Sequence, residues 1–369
     1  MTVHESIDAP VAAAPQSKPA MPDDMAMLRA AAELTRDIST ARPSIYWPDF
    51  LASAALGYAA LAGAILLGNP VFAFACGAVA VLALYRAAGF IHELTHIHRN
   101  ALPGFRFGWN LITGIPMLIP SFLYEGVHTQ HHARTRYGTI EDPEYLPLAL
   151  MKPWSLPLFI VTAILAPIGL IIRFGVLTPL SLLIPPLRGF VRGKLSALSI
   201  NPAYSRRAPE GAFKRMWLWQ EAGACLWALM LIGSVPLLGW KPLLVYMAVH
   251  SGFSVLNQLR TLVAHLWENE GEQMSVTAQY LDSVNVPPPS PFAALWAPVG
   301  LRYHALHHLL PSLPYHSLGE AHRRLTGALG MESTYQRASY PGMLPLVAKI
   351  ARSTMKSRAR SASGAIPQS

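Results

Sequence analysis

Charge is scarce in this chain. Only 13% of its 369 residues are Asp, Glu, Lys or Arg, where soluble domains carry about a quarter. That shortage excludes an ordinary soluble globule and a charge-rich disordered polymer. Two cysteines are too few for a disulfide framework or a cysteine-built metal site. Cys76 and Cys225 lie in apolar runs and read as small buried hydrophobes. Acidic residues are outnumbered, 20 against 29 basic, for a net charge of +9. The basic residues flank apolar runs, so the excess suits an anionic membrane face and not nucleic acid. Residues 1–21 lack a basic start followed by an apolar core, so they do not read as a signal peptide. The pattern contains neither an internal repeat nor a second domain. Residues 1–22 read as a disordered Ala/Pro-rich leader, 23–352 as one membrane domain, and 353–369 as a basic disordered tail.

What is present is long uncharged runs. Residues 50–68 are long enough to cross a bilayer, and after the turn at Asn69-Pro70 so are residues 71–91, interrupted by Arg86. A second pair, 216–238 and 243–264, is joined by Gly239-Trp240-Lys241-Pro242. The expected fold is therefore an all-α integral membrane protein with two transmembrane helical hairpins, about four spans, and a cytoplasmic helical cap. Two further apolar stretches are ambiguous. Residues 109–124 are short and hold Pro116 and Pro120, which suggests an interfacial or re-entrant segment. Residues 155–186 are broken by prolines and contain Arg173, which suggests membrane-lying helices or a shallow hairpin. Ahead of the first span, Asp23 and Asp24 are placed to cap a helix in which Leu28, Ala31, Leu34 and Ile38 share a face. The two short turns hold one Lys and no Arg, while the opposite side is rich in both. Both termini are therefore expected in the cytoplasm.

The histidines are clustered. His92 and His96 form HxxxH at the end of the second span. His128, His131 and His132 form HxxHH, and His304, His307 and His308 form a second HxxHH. Residues i, i+3 and i+4 share one helical face, so each box presents its imidazoles together. All three boxes fall on the same, cytoplasmic, side, and His265 joins them at the end of the fourth span. This exceeds what one ion accepts, since octahedral coordination takes about six ligands, so two metal ions are the minimum. Imidazole suits iron, copper, zinc or nickel alike. His98 points to another face, His250 reads as a satisfied core residue, and His316 and His322 read as structural. Arg86 and Arg260 lie inside spans; each is either a functional charge or a residue paired with Glu221 or snorkelling. His92-Glu93-Leu94-Thr95-His96 is also literally HExxH, a zinc-protease pattern with Glu93 as general base. That reading leaves both HxxHH boxes unexplained.

The boxes resemble those of the integral-membrane fatty acid desaturases and the related hydroxylases and ketolases. The resemblance runs from about Phe50 to about Arg324 and rests on His92–His96, His128–His132 and His304–His308. Leu309–His316 and Gly138–Tyr145 are similar to the segments that follow the boxes in bacterial desaturases. The resemblance implies a non-haem centre of two iron ions, dioxygen as co-substrate, and the nine ligands His92, His96, His128, His131, His132, His265, His304, His307 and His308. It also implies that Thr261 holds a metal-bound water, standing where acyl-CoA desaturases carry Asn. Asp142, Glu144, Glu125 and Glu93 are candidates to fix the far ring nitrogens. The sequence lacks the His-Pro-Gly-Gly haem motif of a fused donor, so electrons must come from an external ferredoxin-like or cytochrome b-type protein. The expected function is desaturation of an acyl lipid or acyl thioester in a bacterial inner membrane. The alternative is hydroxylation or ketolation of a lipid, alkane or carotenoid, with the chain's length favouring desaturases over ketolases. Ligands gathered at one face, not at mid-membrane, argue against a transporter.

Overall fold

The computed structural model describes residues 21–98, 100–290 and 292–363; residues 1–20 of the expected leader and 364–369 of the expected tail lie outside that range. Asp24 caps the first helix, Met25–Thr35, accepting hydrogen bonds from the backbone N–H groups of Ala26 and Met27. Its buried face, Met27 and Ala31, packs in a core with Leu318, Ala321 and Leu325.

The first hairpin pairs Pro43–Leu66 with Pro70–His96. The first of these helices starts seven residues earlier than the charge-free run predicts, because the proline at its first position is preset for a helix. Asn69 caps the second, accepting from the N–H groups of Val71 and Phe72. Gly57 lets the two helices meet: a Cβ there would lie 2.7 Å from the Leu84 side chain. The second hairpin pairs Gly211–Leu238 with Lys241–Leu262.

Among the described residues, four helices are long and apolar enough to cross a membrane: Pro43–Leu66, Pro70–His96, Gly211–Leu238 and Ala166–Leu183. The last lies in the stretch that the sequence leaves ambiguous. Arg173 is tolerated inside it because Glu221 accepts from its guanidinium at 2.7 Å, with Leu195 O, Thr178 and Ser196 also bound. The Lys241–Leu262 helix is long enough to span but carries His250, Ser254, Asn257, Gln258 and Arg260. These face a cavity and other helices, so low hydropathy here reflects an interior wall.

The stretch 109–124 is irregular, with short turns at Asn110–Gly114 and Ser121–Leu123. Irregular backbone at membrane depth needs partners inside the protein. Tyr58, Tyr246 and His250 bond to the carbonyls of Ile112, Pro116 and Met117, and Gln220 accepts from Phe122 N. Two expectations need correction. The last helix, Met343–Ser363, continues through the first part of the expected disordered tail. Cys76 and Cys225 are half-buried, not buried. Among the described residues, β-structure is limited to isolated bridges, one of them His265 with Ser283.

Candidate metal centre

Nine imidazoles converge at one end of the helix bundle. His92 and His96 occupy the last turn of Pro70–His96, His128 and His131 a one-turn helix with His132 at its end, and His304, His307 and His308 the helix His304–Leu309. His265 is not on the preceding helix as expected. That helix stops at Leu262, and His265 follows it in the extended segment that bridges Ser283. Thr261 lies in the last turn of that helix and His265 beyond its end, so the two do not share a helical face. Thr261 lines a cavity beside His92 instead.

The nine fall into two groups: His92, His96, His128, His132 and His307; and His131, His265, His304 and His308. Within each, the candidate ligand atoms lie within 4.8 Å of one another. The division cuts across the boxes. In each HxxHH box the i and i+4 histidines stay together and the middle one crosses to the other group. The groups abut, with the His132 and His308 rings stacked at 4.2 Å.

The hydrogen bonds test whether a metal fits. Both Asp142 oxygens lie 2.9–3.0 Å from His131 Nδ1. A carboxylate only accepts, so that nitrogen carries a proton, and in the neutral imidazole, the form a metal binds, Nε2 is a bare lone pair. Tyr137 spends its proton on Asp282, at 2.8 Å, and therefore accepts from His265 Nδ1 at 2.9 Å. His265 Nε2 is then also bare, yet it lies 3.3 Å from His131 Nε2. Two lone pairs at that distance repel unless a cation sits between them. Close Nε2 pairs recur between His128 and His132, His304 and His265, and His307 and His132, at 3.0–3.1 Å. His92 has both ring nitrogens buried without a hydrogen-bond partner, as does His96 Nε2. Such donor atoms fit a pair of metal ions.

Burial first, and neighbouring imidazoles second, hold His128, His132, His307 and His308 well below the usual histidine range. They are thus neutral, as metal ligation requires. For His131 burial acts downward, but Asp142, Glu144 and Asp282 together outweigh it and the net direction is up. Burial pushes Asp282 up to about 6 and Glu144 up to about 7.

Of the four carboxylates considered, two fix ring nitrogens. Asp142 holds His131, and Glu144 lies 2.9 Å from His128 Nδ1, with Tyr124 bonding both. Glu125 instead binds Arg106 and Ser121. Glu93 accepts from the Tyr46 hydroxyl and Tyr315 N, and stands 3.9 Å from His92 Nδ1. Its hydrogen bonds go to Tyr46 and Tyr315 and not to an imidazole, so it does not sit as a protease general base would. The Tyr137–Asp282 support of His265 has no counterpart in the sequence reading, because it joins positions 145 residues apart. His250 is satisfied by Met117 O and Ser254. His98, His316 and His322 lie outside both groups. Neither intramembrane arginine pairs with Glu221. Arg86 binds Asp49 at 2.6 and 2.9 Å, and Arg260 reaches Asn257 at 3.2 Å.

Beside the first group opens a mainly apolar cavity of about 440 Å³. His92, Tyr124, Glu144 and Thr261 line it together with Phe159, Ala163, Leu170 and Phe253.

A family model for "Fatty acid desaturase" matches residues 68–340. The chain is also 46% identical over 334 residues to a ceramide hydroxylase of Caulobacter vibrioides (strain NA1000 / CB15N), covering 89% of this chain and 94% of that protein. The matched region contains all three boxes and His265, so the two histidine groups and the cavity beside them are those of a member of the fatty acid desaturase family.

Proposed function

We propose that this chain is a membrane-embedded, dioxygen-dependent non-haem diiron hydroxylase of a ceramide-like lipid. The observation that carries the reading is the pair of histidine groups, the first of which reaches an apolar cavity through His92. The ceramide hydroxylase relative favours the hydroxylase alternative over the desaturase reading. The family match still supports acyl desaturation as the second reading.

His92, His96, His128, His132 and His307 would hold one iron, and His131, His265, His304 and His308 the other. When bound, the metal pair would supply the activation of dioxygen that cleavage of an unactivated C–H bond demands, which side-chain acids and bases cannot provide. Asp142, Glu144 and the Tyr137–Asp282 pair orient the imidazoles and fix their tautomers. The apolar walls hold the acyl chain against the histidines and exclude water. One oxygen atom enters the C–H bond; the other leaves as water, taking two electrons and two protons. The electrons come from an external ferredoxin-like or cytochrome b-type donor, for which a basic cytoplasmic face suits an acidic partner. The boxes and termini face the cytoplasm of a bacterial inner membrane, consistent with the bacterial relative and the distribution of Lys and Arg.

Lipid analysis of a ceramide-producing host expressing the chain tests this. A new hydroxylated ceramide is expected. A new double bond without a hydroxyl would move the assignment to desaturation. No new lipid, with a competent donor supplied, would end both.

A further inference from the structure

Arg260 differs from Arg86, Arg106, Arg173, Arg188 and Arg206. Arg86, Arg106, Arg173 and Arg188 each meet a carboxylate. Arg206 donates to the carbonyl oxygens of Phe122, Ser196 and Glu125. Arg260 donates to Asn257 Oδ1 at 3.2 Å, while its Nε–H is buried without an acceptor. Among the described residues, no carboxylate forms an ion pair with it. It lines the cavity together with Asn257, Gln258 and Thr261, next to His92 and Glu144. Glu144 offsets part of the charge through space and the Tyr85 hydroxyl lies beside it, but the buried Nε–H still lacks an acceptor, and a ligand oxygen would relieve that cost.

We propose that Arg260, with the Asn257 and Gln258 amides, clamps the polar head of the lipid, the guanidinium binding the amide carbonyl. The proposal rests on the lipid-hydroxylase reading and names the part of the substrate that is recognised. One cation and one carboxylate, Glu144, among neutral amides and a hydroxyl suit a head that both donates and accepts, such as an amide with hydroxyl groups. A phosphate would call for several cations or a fan of backbone N–H groups. The cavity also extends from Thr261 back to His250, eleven residues or about 16 Å along the helix. The tail has room in that direction, toward Phe253 and Leu170. With the head at Arg260, the carbons presented to His92 are those close to the head, so oxidation falls near the amide and not at the chain terminus.

The iron-loaded enzyme in detergent tests the clamp through KM and kcat for N-palmitoyl sphinganine. The thermal shifts produced by that lipid, by hexadecane and by dipalmitoyl phosphatidic acid are measured alongside. Arg260→Gln should raise KM about tenfold or more, the usual cost of losing a hydrogen bond to a charged group. kcat should stay within about twofold, with iron content unchanged. The variant should lose the thermal shift from N-palmitoyl sphinganine but keep that from hexadecane. Arg260→Lys should recover part of the affinity. Gln258→Leu serves as a second variant and should raise KM several-fold. Loss of kcat with KM unchanged, loss of iron, or an equal loss of both thermal shifts would make Arg260 a structural residue and overturn the clamp. A wild-type KM in Gln258→Leu, or a larger shift from phosphatidic acid than from N-palmitoyl sphinganine, would overturn it too. The thermal shifts need no turnover. An enzyme that binds the head as described but forms no hydroxylated product would retire the hydroxylase reading and leave the clamp standing.

Discussion

Replacing Asp142 with Asn removes one charge from the support of His131 while keeping the side chain's shape. In the native site Oδ1 accepts from His131 Nδ1 and Glu144 N, and Oδ2 accepts from His131 Nδ1 and Gly138 N. An amide has one acceptor oxygen. Its NH2 group must therefore face Gly138 N–H or Glu144 N–H and leave a buried donor unpaired. That costs about 1–3 kcal/mol of stability. Loss of the carboxylate also weakens the imidazole as a ligand, and removing such supports costs about 10–100-fold in metal affinity or activity. Asp142 is fully buried, so water cannot take over its role. We expect Asp142→Asn to accumulate in the membrane with a lowered melting temperature, and with iron content and product formation both reduced at least tenfold. Metal analysis of the purified protein and steady-state product formation provide the readout. If iron content and turnover match wild type while the melting temperature alone falls, Asp142 is only a backbone brace and His131 is not a ligand.

Purified protein should contain two iron ions per chain; a single zinc without iron would revive the HExxH reading. His307→Ala should abolish product, whereas His316→Ala should retain it, because His316 lies outside both groups; equal loss in a turnover assay would refute that boundary. Thr261→Val should lower product formation modestly by removing a hydroxyl from the cavity wall beside His92 while keeping the side chain's shape; unchanged turnover would show that this hydroxyl takes no part. Glu221→Ala strands two buried guanidinium groups, Arg173 and Arg188, and should cost about 3–5 kcal/mol, read as a large drop in melting temperature in detergent.

Much of this protein is determined locally. The uncharged runs specify apolar helices because a bilayer admits little else, and Asn69 and Asp24 set helix starts by accepting adjacent backbone N–H groups. The histidine boxes are legible because i, i+3 and i+4 residues share a helical face before any tertiary contact forms. Only the tertiary structure divides the nine imidazoles into groups of five and four. Each box faces two neighbours at once, and the adjoining helices decide which group the middle histidine joins. The same holds for His265: its place depends on the helix ending at Leu262 and on Tyr137, Asp282 and Ser283 arriving from other segments. Sequence proximity suggests four carboxylates as imidazole supports, but distance along the chain does not set direction in space, and two of them turn elsewhere. Arg86 and Arg260 look alike as charges inside apolar runs. Packing gives Asp49 to the first and leaves the second on a cavity wall, because a charge's partner is chosen by which helix faces it.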